Sequence, residues 1–460
     1  MTFAFCRRPV DTSPIETGYR RIATALPVPE SLSILDDLQS CETRAMHGQM
    51  PVVWDRAKDF QVWDRWGNCW LDFTSTIFVA NVGHANDHVL AALRQAIDGD
   101  LLHSYNYPTE IRARYLKALV AATPACAAKA YLMCTGTEAT EAALRLMRLH
   151  GRHRGKGPGV VVFDGSYHGR TLGAASMSGS EDSRRWIGYQ DPHIHHIAFP
   201  FANEGDNIDW AAAFHADLQD LRDRGVDPAR ELSGILLESY IGWAAAFFPP
   251  AYVAAAADFA RAHDILLAFD EVQAGFGRTG RLFAFEHYDV EPDLICCGKG
   301  IGSGLALSAI LGRAELLDLP ETGLLSSTHS ANPLACAAGL ATLEEMERLD
   351  LVAASARKGE QLLARLRALQ ARFPAHIARV NGRGLVAALI LRDPNSGNPD
   401  GLTASRVCEE AMRRGVLFMH TGRESIKFGP PLTITEAAID EGMDVLDDVL
   451  ADVVAGHVAP

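Results

Sequence analysis

Two residues 29 positions apart, Asp270 and Lys299, carry the chemistry of widest reach in this chain. Each ends a short apolar run: Leu266-Leu267-Ala268-Phe269 leads into Asp270 and Glu271, and Leu294-Ile295-Cys296-Cys297 leads into Gly298-Lys299-Gly300. Such a run reads as a buried strand that delivers charge to its carboxyl end, where open α/β sheets build their sites. An amine placed there forms a Schiff base with a carbonyl, and a neighbouring carboxylate keeps a ring nitrogen protonated. The base-rate role for any lysine is a surface one.

Other segments supply what a planar, phosphorylated partner would need. Cys134-Thr135-Gly136-Thr137-Glu138 follows a short strand and opens a strongly helical stretch, so the free N–H groups of Gly136 and Thr137 offer a place for a phosphate dianion. The plainer reading is a capping box of Thr137 with Glu141 that binds nothing. Asp164-Gly165-Ser166-Tyr167-His168-Gly169-Arg170-Thr171 combines an aromatic face at Tyr167, an imidazole at His168 and a guanidinium at Arg170 that is suited to clamping a carboxylate. Its plainer reading is a turn with an exposed arginine. His193, His195 and His196 have no acidic or cysteine ligand at metal spacing, so no metal site is expected. Taken together, the acid, the amine and the phosphate seat meet the demands of pyridoxal 5′-phosphate chemistry.

These residues need a sheet to hold them. From residue 130 short apolar runs alternate with amphipathic helices: Tyr131–Met133, Val160–Phe163, Ile194–Ala198, Ile235–Leu237, Ile265–Phe269, Leu294–Cys297 and Ala309–Leu311. That alternation predicts an α/β fold whose large domain has a mostly parallel, seven-stranded sheet covered on both faces. Before it, Trp54 to Asp72 reads as a β-meander, and after Pro333 come long helices followed by an α+β segment. The expected division is 1–85 as an N-terminal arm with part of a small domain, 86–345 as the large cofactor-binding domain, and 346–460 as the C-terminal small domain.

Composition narrows the class of protein. Hydrophobic residues at 48% and charged residues at 22% are ordinary globular values, which excludes a disordered chain. No run reaches the ~18 apolar residues of a membrane span, and the N-terminus lacks the order of a signal peptide, so a soluble, cytoplasmic protein with no membrane partner is expected. A formal charge of −14 disfavours nucleic acid. Nine scattered cysteines with no C-x-x-C pair argue against a disulfide framework or a zinc ribbon.

From about Val52 to Val453 the chain resembles the class III, fold-type I pyridoxal phosphate-dependent aminotransferases. The resemblance rests on Asp270-Glu271-Val272-Gln273, then Gly275-Phe276-Gly277-Arg278-Thr279-Gly280, Pro292-Asp293 and Lys299. It implies that Lys299 holds the cofactor covalently and shuttles the proton, and that Asp270 pairs with the pyridine nitrogen. Val272 would pack on the ring, Gln273 reach its hydroxyl, Tyr167 stack on the other face beside His168, and Gly136 and Thr137 cup the phosphate. Glu238 matches a glutamate behind the cofactor, although the proline that usually follows it is Ser239 here. Thr328 matches a threonine that reaches the phosphate of a neighbouring subunit, which implies a homodimer. The fold so implied adds a small α+β domain built from N- and C-terminal segments.

Departures from the family pattern bear on the substrate. Where members that take α-amino acids in both half-reactions pair a glutamate with an arginine, this chain has Trp243 and Lys427; Arg423 is an alternative carboxylate ligand. A further substrate position falls on Ile77, with Phe78 adjacent. The pocket therefore reads as apolar and aromatic. The expected activity is ping-pong transfer of an amino group from an amine donor with an apolar, bulky or non-α-amino-acid body to an oxo acid such as pyruvate or 2-oxoglutarate. The same fold also hosts racemases, aminomutases and lyases, which stand as the alternative.

Overall fold

Strands that must bury both faces read as unbroken apolar runs, and the computed structural model of the chain shows why. It describes residues 3–202, 207–325 and 327–457. Two compact units are present: Asp87–Gly242 with Ala246–Val352, and Met1–Asn86 with Trp243–Ala245 and Ala353–Pro460.

The first unit is built on seven strands: β1 (Lys129–Met133), β2 (Gly159–Phe163), β3 (Ile194–Ile197), β4 (Leu232–Glu238), β5 (Leu266–Asp270), β6 (Leu294–Cys297) and β7 (Ser308–Gly312). They lie in the order β1-β7-β6-β5-β4-β2-β3. β7 runs antiparallel to both its neighbours and the other pairings are parallel. Alternate residues of a strand serve opposite faces. Val160 and Val162 join the cluster under helix α1 (Gly136–His153), which also takes in Leu266, Ala268, Leu294 and Cys296. Phe163, from the other face of β2, meets Phe248 and Tyr252 edge-on at centroid distances of 4.8 and 6.1 Å. Register places Asp270 level with Glu238 on one side and Cys296 on the other, so the acid sits at the centre of the sheet's carboxyl edge.

The second unit contains the expected meander, Arg56–Lys58, Gln61–Trp63 and Cys69–Asp72, with Val416–Leu417 added parallel to its last strand. A separate antiparallel sheet runs Ile377–Arg383, Val386–Leu391, Ser425–Phe428, Met419–His420. Phe73, Phe418 and Phe428 pack in its core at ring distances of 5.4 and 5.1 Å. After Cys69–Asp72 the backbone takes one left-handed turn: Ser75, Thr76, Ile77 and Phe78 have φ of 41°, 51°, 64° and 65°. For residues with a Cβ this costs about 1–2 kcal/mol each, so the turn must be held by its surroundings.

Candidate active site

Three strand ends converge on one point. Gly136 follows β1, Val272 follows β5 and Gly298 follows β6, and a methyl on Gly136 would stand 2.6 Å from Val272 Cγ1. One on Gly298 would stand 3.0 Å from the same atom. Glycine is required at 136 because the valine is seated against it. Thr137, one residue into α1, has its hydroxyl 2.6 Å from that of Thr171, and the Thr171 N–H donates to it at 3.3 Å. The N-terminus of α1, two hydroxyls and an N–H thus gather where an anion would be held. The capping box begins two residues earlier than the sequence suggests: the Glu138 carboxylate accepts from the Thr135 N–H at 2.7 Å, while Glu141 accepts from the N–H groups of Gly173 and Ala174 at 2.8 and 3.2 Å.

Asp270 is fixed at both oxygens. His168 Nδ1 lies 2.8 Å from Oδ2, and the Val272 N–H donates to Oδ1 at 3.0 Å. The backbone that carries the imidazole is itself braced: the His168 N–H donates to Ser178 Oγ at 2.7 Å, and the Thr140 hydroxyl to the His168 carbonyl at 2.7 Å. Nothing in the sequence singled out Ser178 or Thr140, since a hydroxyl that braces a loop has no motif of its own. His168 Nε2 is a buried polar atom without a hydrogen-bond partner among the described residues.

Glu238 closes the other side. Its Oε2 accepts from the Tyr167 N–H at 3.2 Å and the Gly242 N–H at 3.1 Å, tying the Tyr167 loop to the turn after β4. Burial raises its pKa to about 7, the Asp270 charge adds to the rise, and His168 and the two N–H groups oppose it. The Gln273 amide stands beside the same turn, with its Nε2 3.4 Å from where a Gly242 Cβ would be. Tyr167 keeps half its surface exposed, and the Arg170 guanidinium rests 5.5 Å over its ring.

Glu271, neighbour of Asp270 in the chain, points the other way. It is fully buried, accepts from the N–H groups of Ala284 and Phe285 at 2.9 and 2.8 Å, and takes the Ser239 hydroxyl. Ser239 therefore has a donor's work to do at the position where the family carries proline. Burial lifts Glu271 to about 7 against those three donors.

Lys299 begins a 3-10 turn, Lys299–Ile301, at a left-handed φ of 47°. Burial lowers its pKa from the ordinary lysine value, while the charges of Asp270 and Glu238 oppose the shift. An amine so placed is more readily unprotonated, hence a better nucleophile and base. Thr328 is exposed, and its carbonyl accepts from His103 Nε2 at 2.8 Å.

The remaining substrate candidates, Ile77, Phe78, Trp243, Arg423 and Lys427, belong to the second unit. They form two pairs there: Arg423 stacks 3.7 Å over the Trp243 ring, and the Lys427 ammonium lies 4.4 Å from the centroid of Phe78. Phe78 and Lys427 are buried, whereas Ile77 is exposed.

These residues fit a phosphorylated pyridine aldehyde: an anion seat at a helix start, a carboxylate fixed for a ring nitrogen, a lysine of lowered pKa and a buried imidazole nitrogen with capacity to spare. Residues 43–450 match the family model described as aminotransferase class-III. The 4-aminobutyrate aminotransferase of Mycobacterium bovis is 34% identical over 449 residues, covering 94% of this chain and 98% of that relative. The putrescine aminotransferase of Pectobacterium atrosepticum is 33% identical over 405 residues, covering 87% and 82%. Among solved structures, the ornithine aminotransferase of Toxoplasma gondii superposes with a TM-score of 0.81 at 25% identity, covering 94% and 97%. A transaminase from a marine Virgibacillus superposes at 0.83 with 22% identity, covering 93% and 100%.

Proposed function

The chain belongs to the class-III aminotransferases, a family that uses pyridoxal 5′-phosphate, and on that premise we propose that it carries an amino group from an amine donor to an oxo acid by ping-pong. The donor has an apolar, bulky or non-α-amino-acid body, and the acceptor is an oxo acid such as pyruvate or 2-oxoglutarate. Relatives named for 4-aminobutyrate and putrescine support a donor whose reacting amine is not an α-amino group. Trp243 and Lys427, standing where a glutamate and an arginine would serve an α-amino acid, support the same choice, and Trp243 carries Arg423 over its ring instead.

The cofactor, when bound, supplies an electron sink for the bond broken at the amine carbon. The rest is the work of the chain. Lys299 would hold the cofactor, and its Nζ, whose pKa burial lowers, would take and return the proton. Asp270, fixed by His168 Nδ1 and the Val272 N–H, would keep the ring nitrogen protonated. Tyr167 and Val272 would flank the ring, Gln273 would bind its hydroxyl, and Gly136 and Thr137 would hold the phosphate together with Thr328 of a second copy. Arg423, its guanidinium 3.7 Å over the Trp243 ring and 3.5 Å from Glu424, is the carboxylate ligand taken for the oxo acid. Arg170 is the second candidate for that role.

The observation that carries the reading is the lysine of lowered pKa answered across the strand ends by a histidine-fixed aspartate. Holoenzyme mixed with amine alone should lose the absorbance of its lysine-bound cofactor and release one equivalent of carbonyl product, and the oxo acid should restore it. A racemase, aminomutase or lyase would return to the starting spectrum without the oxo acid; that outcome with every donor in a panel of ω-amino acids, diamines and aryl-alkyl amines would sink the proposal.

A further inference from the structure

The carboxyl edge of the sheet has a far face, and one residue there is this chain's own. Side chains alternate along a strand, so Asp270 turns to His168 while Phe269 and Glu271, on either side of it, face away. That far face is gripped by one short segment, the 3-10 helix Ala284–His287 with Tyr288 after it. The Phe285 and Tyr288 rings lie 5.7 and 6.2 Å from that of Phe269. The N–H groups of Ala284 and Phe285 donate to Glu271 at 2.9 and 2.8 Å. The same segment reaches the end of the neighbouring strand at Ser239. Tyr288 donates its hydroxyl proton to the Ser239 carbonyl at 2.5 Å, and the Ser239 hydroxyl donates to Glu271.

Register sets Glu238 level with Asp270. On the near face, therefore, two carboxylates stand at the ends of adjacent strands, and on the far face the next residues of the chain, Ser239 and Glu271, are hydrogen-bonded to each other. The Glu271 N–H also donates to the Cys296 carbonyl at 2.8 Å, which brings the end of β6 into the same junction. Burial raises the pKa of Glu238 and the Asp270 charge adds to the rise, so the two near-face acids feel one another across this edge. Ser239 and Glu271 are both 0% exposed, and solvent would not replace their bond if it were lost. Where the family pattern has proline, a fixed φ stiffens the strand end. Here a hydroxyl does so by bonding across to the next strand.

We propose that Ser239 is a positioning residue for the reaction: its hydroxyl, through Glu271 on the far face of the sheet, sets the spacing and orientation of Glu238 and Asp270 on the near face. It acts through Glu271 and not by contact with the cofactor. The proposal rests on the cofactor assignment given above.

Apoenzyme of Ser239→Ala, of Glu271→Gln and of the double variant is titrated with pyridoxal 5′-phosphate, and each holoenzyme is then titrated with base. Tyr252, in the helix Pro250–Ala262, donates its hydroxyl to Asp217 at 2.5 Å, so Tyr252→Phe removes a hydrogen bond outside this junction and serves as the control. Ser239→Ala should raise the cofactor dissociation constant about tenfold. It should also lower, by about half a pH unit or more, the midpoint at which the lysine-bound cofactor changes absorbance, because the carboxylates that favour the protonated form are less firmly placed. Tyr252→Phe should lower Tm and leave both cofactor readings at wild type. The double variant should match Glu271→Gln alone within about twofold, since the hydroxyl acts through that carboxyl group. A lowered Tm for Ser239→Ala with both cofactor readings unmoved would leave the hydroxyl merely structural and overturn the proposal; so would losses that multiply in the double variant. Should Ser239→Ala fail to fold, Ser239→Cys, which keeps the volume and weakens the donor, is held to the same two readings. Wild-type apoenzyme that takes up no pyridoxal 5′-phosphate would overturn the cofactor assignment and the proposal with it, a result distinct from uptake that is insensitive to Ser239.

Discussion

Asp270 gives one oxygen to His168 and the other to the Val272 N–H, so its carboxylate is oriented before any cofactor arrives. Asp270→Ala should therefore weaken cofactor retention and slow proton abstraction by several kcal/mol, on the order of a main electrostatic contribution, as measured by cofactor titration and single-turnover rates. Lys299→Ala should abolish turnover and leave nothing for borohydride to fix to the chain; a borohydride-stable adduct in that variant would move the cofactor to another lysine. The two buried glutamates make a different prediction. Glu238 and Glu271 both rise from the usual 4.5 to about 7, so the folded state holds these protons more tightly than the unfolded chain does. That stabilisation is complete below about pH 4.5 and is lost as the pH climbs through about 7, by about 3 kcal/mol per group. Apoenzyme Tm should fall over that interval, and Glu238→Gln should flatten the slope. Ser239→Ala removes a donor from the buried Glu271 carboxylate and should cost about 1–3 kcal/mol, more at pH 8.5 than at pH 5.5, because only the ionised carboxylate depends on the hydroxyl. An equal cost at both pH values would mean that Glu271 stays in one protonation state.

The site depends on how closely the ends of β1, β5 and β6 approach. Gly136→Ala would drive a methyl to 2.6 Å from Val272 Cγ1, and cofactor affinity should fall by about tenfold or more as Val272 is displaced. Adding Val272→Ala should recover much of that loss in an equilibrium titration, and no recovery would point to a backbone fault in α1 instead. The seven strands of the sheet were legible because each is buried on both faces and so shows as an apolar run. The reversal of β7 was not, because an apolar run reads the same in either direction. The cap of α1 was misplaced by two residues, since threonines at 135 and 137 are each followed by a glutamate within four positions and only backbone geometry selects Glu138. The left-handed turn at Ser75–Phe78 left no trace in the sequence, which has none of the glycines that normally announce such φ values. Nor did the partition of Asp270 from Glu271: adjacent residues at a strand end point to opposite faces, but which face holds the chemistry is decided by the strands on either side.

A dimer with shared sites is the remaining proposal for the assembly, and mixing tests it. Subunits bearing Lys299→Ala and subunits bearing Thr328→Ala should each be impaired alone. Hybrids of the two would contain one intact site and one doubly damaged site, so statistical exchange should return about a quarter of wild-type activity. Activity that never exceeds the sum of the parents would confine Thr328 to its own subunit. Resemblance over most of the length, now matched by a family model over residues 43–450, allowed a cofactor role to be proposed residue by residue. The substrate candidates were harder to assign, because Trp243 and Lys427 depart from the pattern and the pairs Trp243–Arg423 and Phe78–Lys427 join segments distant in sequence. That fold has its own consequence for descent and for engineering. The chain passes between its two units at four places, around residues 86, 242, 245 and 352, and returns to the second unit for only three residues, Trp243–Ala245. A single crossover between two related genes would therefore bring in Arg423 and Lys427 while leaving Trp243 and Phe78 from the other parent. The Phe78–Lys427 and Trp243–Arg423 pairs stay matched only when residues 78, 243 and 423–427 travel together, so chimeras made by one exchange should show a lower Tm than a three-segment graft.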